Sequence, residues 1–330
     1  MRRYFARKLA IYLVTFVVAV TVDWMIPRFM PGNPVQGMIG RMNLEPDAAN
    51  SMMGFFLGAF GLDVPIWQQY LNFWGALFHG DLGISVWQFP TPVTSIIMGA
   101  LGYTLVLLVP AIILSWLAGN WFGAYVARRK RLDNGILPIG YILTATPYMW
   151  LGILLAWVFG FELNVLPLAG AYDISMMPDL TIDFALNVFS HWIMPFMSLF
   201  LVMFGGWAIG MRNMIIYELE SDYSHYLEAL GAPQSLVRKY AFRNAMLPQL
   251  TGLALQLGVI VAGALVTEVV FSYPGLGYLV LQAIQNEDYF LLQGIFLFVI
   301  VGVLVANFLI DIAYIVVDPR TRIGMQGGAQ

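Results

Sequence analysis

The stretch GYTLVLLVPAIILSWLAGNWFGAYVARRKR, residues 102–131, decides the fold. From Gly102 to Ala127 it carries no charge, and then Arg128, Arg129, Lys130 and Arg131 follow without a gap. An α-helix needs about 20 apolar residues to cross about 30 Å of hydrocarbon. This run suffices, and the cations at its end mark the side that stays in the cytoplasm. Five further stretches read the same way, near 9–30, 136–160, 192–216, 249–271 and 291–317. The first follows a basic start, but it outruns the roughly 7–15-residue core of a signal peptide and lacks a small-x-small cleavage pattern. It reads as an uncleaved helix.

Charge placement agrees. Fourteen of the sixteen Lys and Arg residues fall in four clusters: Arg2, Arg3, Arg7, Lys8; Arg128 to Arg131; Arg212, Arg238, Lys239, Arg243; and Arg320, Arg322. The segments between alternate spans, 31–101, 161–191 and 272–290, hold ten carboxylates against Arg41 alone. With the basic side inside, six spans return both termini to the cytoplasm. The first external segment is too long for a simple connector. Within it Asp63 and Pro65 open a helix whose Trp67, Tyr70, Leu71, Trp74, Leu77 and Phe78 share one face. That face suits either a flap over an outer mouth or a helix resting among the headgroups. The segment 161–191 shows no helical period.

Composition closes other routes. Charged residues make up 11% of the chain, where a soluble domain has about 25%. There is no cysteine, so disulfides and thiolate chemistry are excluded, and His79, His191 and His225 are too scattered for a metal site. None of Lys8, Lys130 and Lys239 precedes Ser or Thr, so the chain has no phosphate-cradling Gly-Lys-Ser/Thr loop. Any ATP used must be bound by another chain. Asp23, Glu268 and Asp311 fall within spans, where a carboxylate costs a few kcal/mol or more and so faces a cavity or a partner. Asp23 and Glu268, with polar Gln256 and Asn307, are the candidates for a pathway or gate; interhelical hydrogen bonding is the alternative. Pro147 sits in mid-span, which makes Thr144–Trp150 the place to expect a broken helix.

The basic segment 221–248 carries the most pattern. Ser221 is placed to cap a short helix, and Tyr223, Tyr226, Leu227 and Leu230 form a stripe on it. Gly231 suits the left-handed residue that ends it, and Pro233 opens the next helix. Such an elbow either docks in a groove on a partner or covers the end of the bundle; the pattern leaves both open.

The segment Asp222-Tyr223, Glu228-Ala229-Leu230-Gly231 and Arg243-Asn244-Ala245-Met246-Leu247-Pro248 resembles the EAA loop of binding-protein-dependent ABC importer permeases. Other stretches fall in the family's order. They are Pro31-Gly32-Asn33-Pro34, Gly61 to Pro65, Gly80 to Ser85, Thr146 to Gly152, Glu268 to Gly277, and Asp318 to Arg322. Together they resemble the oligopeptide/dipeptide type, B-type subunit, over nearly the whole chain. Asn33 stands for the usual Asp, and the leading Glu-Ala-Ala positions read His225-Tyr226-Leu227.

The resemblance implies an all-α, polytopic chain of the type I ABC importer (MetI-like) fold, multi-pass in the cell membrane. Its parts would be a tail and first span (1–30), an external helical insertion (31–101), a permease core (102–318) and a tail (319–330). Tyr223, Tyr226, Leu227, Glu228, Ala229, Leu230, Gly231, Arg243 and Asn244 would couple to two ATPase subunits. The other partners implied are a second permease, an external solute-binding protein and the bilayer, with no nucleic acid and no cofactor of its own. Oligopeptides are the expected cargo. Oligosaccharides are the alternative, and an ion-coupled secondary transporter is the remote one.

Overall fold

The computed structural model describes residues 2–29, 34–42 and 45–317. Pro31 to Asn33, the Asp318–Arg322 motif and the tail 319–330 lie outside them. The helices are α1 (Arg2–Phe29), α2 (Pro34–Arg41), α3 (Pro46–Ala59), α4 (Ile66–Phe78), α5 (Val93–Val126) and α6 (Lys130–Ala145). Then come α7 (Tyr148–Leu155), running into a π-helical turn at Ala156–Glu162, α8 (Ile182–Leu219) and α9 (Asp222–Ala229). The last are α10 (Gln234–Val270), α11 (Leu276–Gln285) and α12 (Tyr289–Val317). Among the described residues extended pairing is confined to one antiparallel bridge, Ile84 with Pro92.

Four helical stretches are apolar and long enough to span: Ala6–Phe29, Val93–Val126, Ile182–Leu219 and Tyr289–Ile312. Two bent pairs, Gly135–Ala145 with Tyr148–Glu162 and Gln234–Gly258 with Ile260–Val270, make six when each pair counts as one span. Several helices start earlier than hydropathy suggests. α8 begins at Ile182, inside the stretch read as aperiodic, because Thr181 Oγ1 accepts the Phe184 N–H at 3.3 Å and caps it.

The expected break occurs, with a turn of 104° between α6 and α7. Thr146 precedes a proline and is extended (ψ 125°), so α6 ends there. Thr144 and Thr146 hydroxyls donate back to Gly140 O at 2.9 Å and Ile142 O at 2.7 Å, meeting carbonyls near the break.

Two compact units form. One gathers Leu105–Tyr273 with the chain's two ends. There α8 packs against α6, α7 and α10. Its inward face is Leu199, Val202, Met203, Trp207, Met211 and Ile215, all buried. Spacings of three and four residues make that a helical core stripe. The α5–α8 crossing is a backbone contact: a Cβ at Gly123 would lie 2.2 Å from Ala208 O. Gly170 N–H binds Phe271 O at 3.0 Å, tying the loop before α8 to the end of α10.

The other unit comprises Ala6–Thr104 and Pro274–Leu304. Val35, Met38, Ile39, Phe56 and Val86 form its small core, with Phe60 and Phe290 packed on it. The aromatic face of α4 divides. Tyr70 lies edge-on to Trp24 at 5.0 Å and Trp74 to Phe16 at 6.3 Å, so this edge rests on α1. Trp67, Leu71 and Phe78 on the same helix are exposed. The Gly80–Ser85 motif is held by Asp288, which is fully buried. Its carboxylate accepts the Ser85 hydroxyl, the Trp87 N–H at 3.0 Å and the Leu291 N–H at 3.1 Å, so it also caps α12.

Candidate functional site

The elbow between α8 and α10 is built from the chain outward. α9 spans eight residues and ends in a Schellman turn, in which Gly231 N–H binds Glu228 O at 2.9 Å and Ala232 N–H binds Leu227 O at 3.0 Å. That geometry puts Gly231 at φ +77°, the left-handed region where only glycine is unstrained. Pro233, fixed near φ −65°, then starts α10. Gln234 Nε2 donates to Glu228 Oε1 at 2.7 Å, and His225 lies 3.9 Å from the other Glu228 oxygen. The two arms of the elbow are thus bridged across the turn.

Ser221 does not act as the expected cap acceptor. Its hydroxyl donates to Glu218 O at 2.6 Å, and Ser224 Oγ donates to the same carbonyl at 2.7 Å. Both side chains serve the C-terminal end of α8, whose last carbonyls otherwise lack partners.

The residue that organises the elbow is Glu218, which the motif did not single out. Its Oε2 accepts the Tyr223 hydroxyl at 2.7 Å and the Asn244 amide at 3.2 Å. One carboxylate therefore joins α8, α9 and α10. Burial, and then the bond to Glu218, raise the Tyr223 hydroxyl above the ordinary tyrosine range, so it stays a donor. The only sequence signal for Glu218 was an acid at the end of a span on the basic side. Beneath this junction Ala124, Met211, Ile215, Ala241 and Ala245 form a buried cluster from α5, α8 and α10.

The proposed stripe on α9 is consequently split. Tyr223 and Leu227 are half-buried, while Tyr226 and Leu230, four residues apart, are 67% and 65% exposed. Ala229 and Glu228 are exposed beside them, as are Gly231 and Arg243, and Asn244 is half-buried. The elbow presents two large apolar side chains outward while its inner face is bonded to the bundle.

The four pathway candidates do not form one cluster. Asp23, in the unit that holds most of α1, is 2% exposed, and neither carboxylate oxygen has a hydrogen-bond partner; Arg28 on the same helix is its opposite charge. Glu268 is fully buried near the end of α10, and Gln256 on the same helix is exposed. They stand roughly 18 Å apart by helical rise. Asn307 is half-buried in α12, as is Asp311.

Comparison with known proteins places these features in context. Residues 111–323 match the family described as binding-protein-dependent transport system inner membrane component, a range that contains the broken span and the whole elbow. The chain is 30% identical to the dipeptide transport system permease protein of Escherichia coli K12, covering 98% of this chain and 99% of the relative. It is 30% identical to the di/tripeptide transport system permease protein of Pseudomonas aeruginosa UCBPP-PA14, over 98% and 99%. It is 29% identical to the oligopeptide transport system permease protein of Bacillus subtilis 168, over 97% and 99%. With an all-helical chain, spans matching the family's range and relatives aligned nearly end to end, this protein belongs to the binding-protein-dependent transport system inner membrane components, the membrane permease subunits of ABC importers.

Proposed function

We propose that the subunit forms, with a second related permease, the pathway of an ATP-driven peptide importer, and that the α9–Gly231–α10 elbow receives an ATPase. One observation carries the coupling role: Tyr226 and Leu230 stand exposed on a helix whose other side is bonded through Glu218 to two long helices. An apolar pair of that spacing fits a groove, which is how short amphipathic helices are received. A load on α9 then passes into α8 and α10 through hydrogen bonds and packing, and those helices carry the pathway between its two states. Two ATPases and an external solute-binding protein complete the machine, and ATP is bound on the ATPases. Peptide is preferred over oligosaccharide and over ion-coupled transport because the three relatives named are peptide permeases by description.

The basic ends of the spans, and so the elbow, lie in the cytoplasm on the positive-inside argument. The test is reconstitution of this subunit with its second permease, ATPases and binding protein. Peptide should stimulate ATP hydrolysis and oligosaccharide should not. Tyr226→Ser with Leu230→Ser should remove ATPases from the purified complex while leaving the chain folded. Retained ATPases in that variant would overturn the docking role, and stimulation by sugar alone would overturn the cargo.

A further inference from the structure

An apolar groove runs along one side of the bundle between α5, α6 and α8. Phe122 and Val126, Ile139 and Leu143, and Phe204 line it, and Arg212 closes one end. Its base is a tight crossing of α6 and α8: a Cβ at Gly205 would stand 2.8 Å from the Leu143 Cβ and 3.0 Å from Gly140 O. Backbones that approach this closely leave no side chains to fill the space beside them. From Phe204 to Arg212 the helical rise is about 12 Å, the depth of part of one leaflet.

The charges at the mouth have one sign. Arg212 is half-buried at the rim. Arg128 and Arg129, just past the end of α5, are exposed, and Arg129 lies 4.5 Å over the Tyr125 ring. Partial burial, with the neighbouring Arg238 guanidinium, lowers Arg128 from the usual arginine range, which places two cations close together. The acid nearest Arg212 along α8, Glu218, is bound to Tyr223 and Asn244. Apolar walls leading to an uncompensated cationic rim match a molecule with a hydrocarbon tail and an anionic head. A partner helix would fill the walls but leave the arginines uncompensated.

We propose that this groove is a binding site for one anionic phospholipid, an acyl chain lying between α6 and α8 and its phosphate held by Arg212 with Arg128. On the proposed topology the lipid belongs to the cytoplasmic leaflet. Its headgroup would border the packed junction of α5, α8 and α10 that supports the elbow. Basic pockets between spans on the cytoplasmic side are recurrent headgroup sites.

The test uses the assembled complex in nanodiscs of phosphatidylglycerol and phosphatidylcholine, extracted and weighed by native mass spectrometry. Wild type should retain one phosphatidylglycerol per chain, preferred by about five-fold for each arginine engaged. Arg212→Gln should lower that preference by about the same factor. Ile139→Trp, at a groove position 57% exposed, should lose the retained lipid with the arginines intact. Equal retention of the two lipids by wild type, or no change in Arg212→Gln, would overturn the site. Because the chain has no cysteine, Ile139→Cys gives a unique handle. Labelling there by a photoreactive anionic lipid supports the site. High-yield crosslinking to the second permease means that protein fills the groove, and sinks it.

Discussion

Glu218, at the end of α8, accepts the Tyr223 hydroxyl of α9 at 2.7 Å, and the same oxygen receives the Asn244 amide of α10 at 3.2 Å. Three helices therefore converge on one partly buried carboxylate, so their relative motion is restricted by a single side chain. Hydrogen bonds to a charged group contribute about 1.5–3 kcal/mol, more than neutral ones.

Glu218→Gln should keep the geometry and weaken both bonds, lowering solute-stimulated ATP hydrolysis more than ATPase assembly. Tyr223→Phe should do the same through one bond. A double-mutant cycle on the two should show a coupling energy of about 0.5–3 kcal/mol, as neighbours in one network do. Additive effects would mean that the bond transmits nothing.

Gly231 has open space around it, since a Cβ there would meet nothing within 4 Å. The cost of replacing it is therefore backbone strain at φ +77° and not a clash. A left-handed L-residue costs about 1–2 kcal/mol. Gly231→Val should show that loss in thermal unfolding and impair transport, whereas Gly231→Asn, which tolerates this region, should lie between the two.

Asp288 holds three donors from two loops while fully buried. Asp288→Ala strands all three, and each unsatisfied buried donor costs about 1–3 kcal/mol. A loss of about 3 kcal/mol or more is expected, read as a lowered unfolding midpoint by Trp fluorescence. Ser85→Ala should cost less, since it removes one bond and leaves the helix cap in place.

Asp173 is exposed in the loop before α8, and its carboxyl sits below the usual carboxylate range because Ser175 donates its backbone N–H and its hydroxyl to it, at 2.9 and 2.8 Å. A folded value below the unfolded one means that these bonds contribute above the unfolded value and fade as pH falls through the folded one. Hydrogen exchange at Ser175 should therefore accelerate under acid and change little between neutral and mildly basic pH. Asp173→Asn should abolish that acid response.

Much of this was legible in the chain. The apolar stretches and the four cationic clusters gave the spans, because transfer into hydrocarbon depends on composition alone. Pro147 announced the break between α6 and α7, since a proline restricts its predecessor whatever surrounds it. Gly231 and Pro233 announced the elbow for the same local reason. Helix starts were read late at α5, α8 and α10, where hydropathy registers only the apolar part of a helix that continues past it.

The remainder is nonlocal. The sequence by itself determined which segments enter the membrane, which ends carry the cations and where the backbone must turn. These depend on the side chains and dihedral limits of neighbouring residues. Only the tertiary structure decided that Tyr223 turns inward while Tyr226 and Leu230 turn out, and that Ser221 serves the end of α8 and not the start of α9. It alone gave Glu218 its two partners, one of them 26 positions away, and Asp288 a partner 203 positions away. A carboxylate finds such donors only after distant helices have packed, and no local pattern encodes that meeting.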